Sequence, residues 1–220
     1  MPPRELFDFQ RFRRKIRQTL AQPRFERGET VVLRGVNFSD PDRLESAGHW
    51  NPEYFEAARE WNANVVRFPV HPGRLRDRGE EEYLRLLDQG VQWATELGMY
   101  VIIDWHSIGS LQAERFTRES YETTRQETRR FWDTIARRYA GNSTVAFYEL
   151  FNEPTTDGGE FGEASWPAHK ALMEELIGVI RVHAPEAIAL VAGFNWGYDL
   201  TPVRTDPVDA PAVAYVTHPY

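Results

Sequence analysis

Val145–Pro154 reads V-A-F-Y-E-L-F-N-E-P, an apolar run with β-branched and aromatic residues that ends in Asn152-Glu153-Pro154. A short apolar run bounded by polar residues is the pattern of a strand buried on both faces, as strands of parallel sheets are. Pro154 disfavours helical dihedrals at the residue before it, which predicts Glu153 extended at the strand tip. Glu149 lies four residues earlier, and the two-residue period of a strand puts both carboxyls on one face. On an extended strand they are roughly 13 Å apart. The stretch therefore predicts an acid fixed at the rim of a core, where it caps the next helix, lies solvated in a loop or takes part in chemistry.

Working outward, five more runs share the apolar character: Val31–Val36, Asn64–Val70, Met99–Asp104, Ile188–Ala192 and Ala212–Thr217. Helical periodicity fills most of the gaps, with helices predicted over 51–61, 80–97, 118–139 and 166–183. Asn51-Pro52-Glu53 supplies a cap, a first-turn proline and an acid favoured by the helix dipole. Residues 39–50 read as a polar loop, and the proline-rich connection 199–211 is too short for a good helix. Arg4–Leu20 predicts an amphipathic surface helix, to which no function is assigned. Strands alternating with helices predict a parallel α/β architecture. The first strand lacks a glycine-rich phosphate turn, and polar residues finish strand after strand. That pattern favours the C-terminal rim of a (β/α)8 TIM barrel over an open doubly wound sheet.

Of the 220 residues, 41% are hydrophobic and 13% aromatic, enough for one sizeable core. The net charge of −7 argues against nucleic acid as a partner, since phosphate binding needs a basic surface. Without cysteine, disulfides, thiol catalysis and thiolate metal sites are excluded. No apolar run reaches the roughly 20 residues of a membrane span. If Met1 is the native start, no secretory signal is visible, and the compartment is left open.

Beyond the Glu153 stretch, three places carry candidate chemistry. Arg67 stands inside an apolar strand and requires a carboxylate, because buried arginine is rare unless paired. Asp104-Trp105-His106 ends the third strand; with His218 it could make a metal-dependent barrel hydrolase, but no His-x-His or second cluster supports a metal. Trp196 and Tyr198, after the fifth strand, are candidates for stacking on a sugar or for packing. The alternative of another class is a non-catalytic carbohydrate-binding protein gripping a glycan with Trp105, Trp196 and the polar rim.

L-R-G-V-N, N-V-V-R-F-P-V, Y-V-I-I-D-W-H, F-Y-E-L-F-N-E-P and the closing H-P-Y, in this order, resemble glycoside hydrolase family five, the cellulase-like retaining β-glycosidases of clan A. The resemblance runs from about Phe25 to Tyr220, with residues 1–24 as a lead-in. It implies a (β/α)8 barrel that cleaves a β-linked oligo- or polysaccharide without cofactor or metal, acting as a monomer. It further implies Glu153 as general acid/base, Asn152 as the amide that binds the substrate's 2-hydroxyl, and Arg67 as the arginine holding the nucleophilic carboxylate. His106 and His218 match histidines lining the cleavage subsite, and Tyr220 the tyrosine whose hydroxyl touches the nucleophile.

The nucleophile of that family is a glutamate ending strand seven, and six strands are read here. Glu149 is expected too deep to replace it, and Asp104 is expected on the opposite side of its strand from His106. The expectation is thus a partial barrel of about six βα units, a fragment that alone hydrolyses nothing. The Asp-Trp-His ending leans towards β-glucan as the substrate of the complete enzyme.

Overall fold

A computed structural model describes residues 31–155 and 165–219. The N-terminal helix expected over 4–20, the lead-in 1–24 and Tyr220 lie outside the described residues. The strands are β1 (Gly35–Asn37), β2 (Val65–Val70), β3 (Tyr100–Trp105), β4 (Ile108–Ser110), β5 (Arg115–Phe116), β6 (Val145–Glu149), β7 (Glu153–Pro154), β8 (Ile188–Ala192) and β9 (Val213–Val216). Among the described residues β1, β2, β3, β6, β8 and β9 form one sheet in that order, and every pair in it is parallel. The helices are α1 (Pro41–Ser46), α2 (Pro52–Glu60), α3 (Pro72–Arg78), α4 (Glu80–Glu96), α5 (Arg125–Arg138) and α6 (Trp166–His183). Strand order that follows chain order, with helices between, is the half-barrel arrangement of a (β/α)8 fold. No described helix is long and apolar enough to cross a membrane.

The helix starts follow from their caps. Asn51 Oδ1 accepts the amide of Tyr54, and Pro52 opens α2. Asp40 Oδ1 does the same for Asp42 at α1, inside the stretch expected to be loop. The helix expected from residue 118 begins instead at Arg125, because Thr124 takes the cap position and accepts from Glu127 N. Residues 119–121 form a 3-10 turn that leads into it. The first strand is also later than expected, at Gly35–Asn37, while Val31 and Val32 are exposed.

The sheet has two unlike faces. The outer face carries Val66, Phe68, Val101, Ile103, Tyr148 and Val191 into the large core beneath the helices. The concave face holds a smaller cluster of Val65, Tyr100, Phe147 and Leu190. Register places the next residues of the concave face level with one another: Arg67 beside Ile102, then Asp104 beside Glu149. Charge thus lies directly above a thin apolar layer, towards the C-terminal ends of the strands.

Candidate active site

Arg67 is the hub of that charged layer. Its Nε donates to Glu149 Oε2 at 2.7 Å and its Nη2 to Glu149 Oε1 at 2.8 Å, a bidentate pair. Nη2 also reaches Asn152 Oδ1 at 2.8 Å and Asp104 Oδ2 at 2.9 Å, and Nη1 donates to Asn37 Oδ1 at 2.8 Å. The carboxylates that Arg67 requires are therefore in the chain, at Glu149 and Asp104. Burial works against its charge, but Asp104 and Glu149 outweigh burial and raise the guanidinium's pKa.

Asp104 corrects a sequence expectation. It shares the concave side with His106, whose Nδ1 lies 2.6 Å from Asp104 Oδ2, because residues two apart on a strand face the same way. Asp104 and Glu149 compete for one guanidinium, and their environments drive them apart. Burial raises the Asp104 pKa, with Arg67 opposing. Burial also acts to raise Glu149, but the charge and paired hydrogen bonds of Arg67 win and lower it to about 2. Glu149 is thus ionised across the working range.

Glu153 sits nearer to Glu149 than an extended strand allows. The strand hydrogen bonding of β6 ends at Glu149; Leu150 N then donates to Leu190 O, and Trp132 Nε1 on α5 donates to Leu150 O. From there the chain runs beside β3 and β4, with Asn152 N donating to Trp105 O and Glu153 N to Ser107 O. The bend converts a distance along a strand into a step across the rim. One imidazole now spans the two acids: His218 Nδ1 is 3.1 Å from Glu153 Oε1, and His218 Nε2 is 3.4 Å from Glu149 Oε1. Hydrogen bonds to Glu149 and Glu153 raise the His218 pKa to about 9, so the ring donates from both nitrogens at neutral pH.

Glu153 and Asn152 are both buried, at 5% and 1% exposure, and Asn152 Nδ2 has no hydrogen-bond partner among the described residues. A buried amide donor without a partner is costly, and it leaves Nδ2 open to an oxygen acceptor. Trp196 is half-buried on the turn Phe194–Gly197, which packs against β7 and so beside Glu153. Asn195, Trp196 and Gly197 all have positive φ, at 54°, 56° and 77°, and the His218 ring lies against Gly197. Left-handed backbone at two non-glycine residues stores strain of about 1–3 kcal/mol each, of the kind concentrated at functional rims. Tyr198 is exposed.

The structure brings Arg67, His106, Asn152, Glu153 and His218 to one end of the sheet, with Trp196 at its edge; Tyr220 lies outside the described residues. Asp104, His106 and His218 do not converge as a metal set. Asp104 Oδ2 serves Arg67 and His106, while both nitrogens of His218 face glutamates.

The profile of the Cellulase family, glycosyl hydrolase family 5, matches residues 26–220. The chain belongs to that family. Proteins similar to it include endoglucanase A of Butyrivibrio fibrisolvens, 28% identical over 205 residues, which span 88% of this chain and 42% of the relative. Endoglucanase Z of Dickeya dadantii is 28% identical over 196 residues, 84% of this chain and 41% of that protein. Among solved structures, the β-glucanase SdGluc5_26A of Saccharophagus degradans superposes with a TM-score of 0.88 at 41% identity, covering 100% of this chain and 66% of the β-glucanase. The same protein in complex with cellotetraose gives a TM-score of 0.87. The chain thus spans less than half the length of these curated relatives and about two thirds of the solved β-glucanase.

Proposed function

We propose that these residues form the acid/base half of a retaining β-glucan hydrolase site, with Glu153 as proton donor and then proton acceptor. The observation that carries this reading is the pairing at the rim of a buried Glu153 with a buried Asn152 whose amide nitrogen is unpartnered among the described residues. Glu153 protonates the leaving glycosidic oxygen and later takes a proton from the incoming water; Asn152 Nδ2 donates to the 2-hydroxyl, a contact that strengthens in an oxocarbenium-like transition state. Arg67, with Glu149 and Asp104, holds Asn152 Oδ1 so that the amide presents its NH2 group. His218 tethers Glu153.

A retaining mechanism also needs an ionised nucleophile about 5–5.5 Å from the acid. Glu149 is ionised, but both its oxygens are committed to Arg67 and it lies beneath the rim, so it supports rather than attacks. Asp104 is fully buried and likewise paired with Arg67. On this reading the attacking carboxylate lies outside the described residues, and the 220-residue chain binds a glucan without turning it over. The names of the relatives and the cellotetraose complex support a β-1,4-glucan as the substrate, cleaved internally.

The test joins this chain to the part of the Saccharophagus degradans β-glucanase that it does not cover. The joined barrel is expected to hydrolyse soluble β-glucan with net retention by NMR, and Glu153→Gln to abolish turnover. An inverted product rules out the retaining scheme. Steady turnover by the 220-residue chain alone, lost on Glu153→Gln, overturns the half-site reading.

A further inference from the structure

His71 follows the last residue of β2 and has no part in the chemistry above. Register pairs Val70 with Trp105, so His71 and His106 are neighbours at the rim, on the same concave side as Arg67 and Asp104. Their ring centroids are 4.5 Å apart. Each ring is anchored in the same way. His106 Nδ1 lies on Asp104; His71 Nδ1 lies 2.8 Å from Asp40 Oδ2, and the His71 backbone N–H donates to that same oxygen at 3.0 Å. Asp40 is itself immobilised, 1% exposed, with Oδ1 accepting from Asp42 N at the cap of α1. Tyr121 stacks on the His71 ring at 5.5 Å and 23°.

This bonding decides which atom is offered outward. With Nδ1–H committed to Asp40, the free atom of His71 is Nε2, which makes no hydrogen bond among the described residues and is not sealed from solvent. The His71 side chain is 18% exposed, nearly the same as His106 at 19%. The chemistry of the pair selects its ligand. Each imidazole is backed by a buried carboxylate, which disfavours an anion at this face. They lack a third ligand for a cation, since no group of three metal-binding side chains is present among the described residues. A sugar hydroxyl, donor and acceptor at once, suits the outward Nε2.

We propose that Asp40 and His71 are a second carboxylate–histidine pair of the glycan cleft, with His71 Nε2 contacting a hydroxyl of the glucosyl unit beside the one at Glu153, and Asp40 positioning the ring. The assignment rests on the glucan-binding reading above. It makes His71 a specificity-determining residue, because a locked ring accepts a hydroxyl at one place and discriminates against a unit that lacks it there.

Titration of the 220-residue chain with cellotetraose, by calorimetry and by long-range 1H–15N NMR of the histidine rings, tests the pair. His71→Ala is expected to weaken binding about three- to tenfold, the range of one neutral hydrogen bond. In the unmodified chain Nε2 of His71 shifts on saturation while Nδ1 remains protonated. Asp40→Asn is expected to release the tautomer lock and weaken binding by less than His71→Ala. His71→Gln, which keeps a polar tip within reach of Asp40, separates lost contact from lost folding. Unchanged affinity in folded His71→Ala and His71→Gln, with His106 Nε2 shifting and His71 Nε2 still, overturns the proposal and leaves the glucan-binding reading intact. No binding by the unmodified chain overturns both.

Discussion

Glu149 and Glu153 lie four residues apart and share one histidine, yet they are held by different chemistry. Glu149 gives both oxygens to a permanently charged guanidinium, which lowers its pKa to about 2. Glu153 faces a titratable imidazole at the rim, next to the unpartnered amide of Asn152. Stability and reactivity are thus lodged in different layers. The lower layer, Arg67 with Glu149 and Asp104, is a buried ion cluster that ties β2, β3 and β6 to one another. The upper layer, Asn152, Glu153 and His218, keeps groups able to exchange protons and hydrogen bonds with a ligand.

Removing the hub should show the contrast most strongly. Arg67→Met leaves two buried carboxylates without their cation and is expected to destabilise the fold by about 3–5 kcal/mol, measured by urea unfolding. Glu149→Gln removes one charge from the cluster and is expected to lose about 2–3 kcal/mol. Glu153→Gln, at the rim, should stay within about 1 kcal/mol of the unmodified chain. A Glu153→Gln loss equal to that of Glu149→Gln would erase the distinction between the layers.

Stability against pH separates the contributions further, since His218 and Glu149 titrate at opposite ends of the scale. The His218 pKa is raised to about 9, so its contribution is complete below about 6.5, its unfolded value, and is lost as pH rises through 9. Glu149 is depressed to about 2, so its contribution is present above about 4.5 and is lost as pH falls through 2. Stability should therefore decline on both sides of a plateau between about 4.5 and 6.5. His218→Asn is expected to flatten the alkaline decline and leave the acid limb in place. Denaturant midpoints across pH read this effect, the smallest of the series.

Much of this was legible in the sequence, for physical reasons that vary by residue. The strands announced themselves because a parallel sheet covered on both faces needs continuous apolar runs. Arg67 was marked by its cost of burial, and Glu153 by the proline that fixes it. Part of what escaped depended on the third dimension. The distance from Glu149 to Glu153 was overestimated because periodicity assumes a straight strand, and the bend at Leu150 is held by Trp132 and Leu190 from distant parts of the chain. Asp104 belongs on the His106 side of β3, as their two-residue spacing already requires. Asp40 lies in a stretch that reads as loop, yet Asp40-Pro41 repeats the cap-and-proline pattern of Asn51-Pro52. His71 carried no such signal; register with His106 gives it meaning.

The central claim, that Glu153 and not Glu149 moves the proton, is tested most directly by leaving-group dependence in the joined barrel. With Glu153→Ala, hydrolysis of an unactivated cellooligosaccharide should fall by about 10²–10⁴-fold, the usual worth of a general acid. Cleavage of the glycosidic bond in a dinitrophenyl cellobioside, whose leaving group needs no proton, should fall far less. Equal losses on both substrates, or this selective pattern in Glu149→Ala instead, would contradict the assignment.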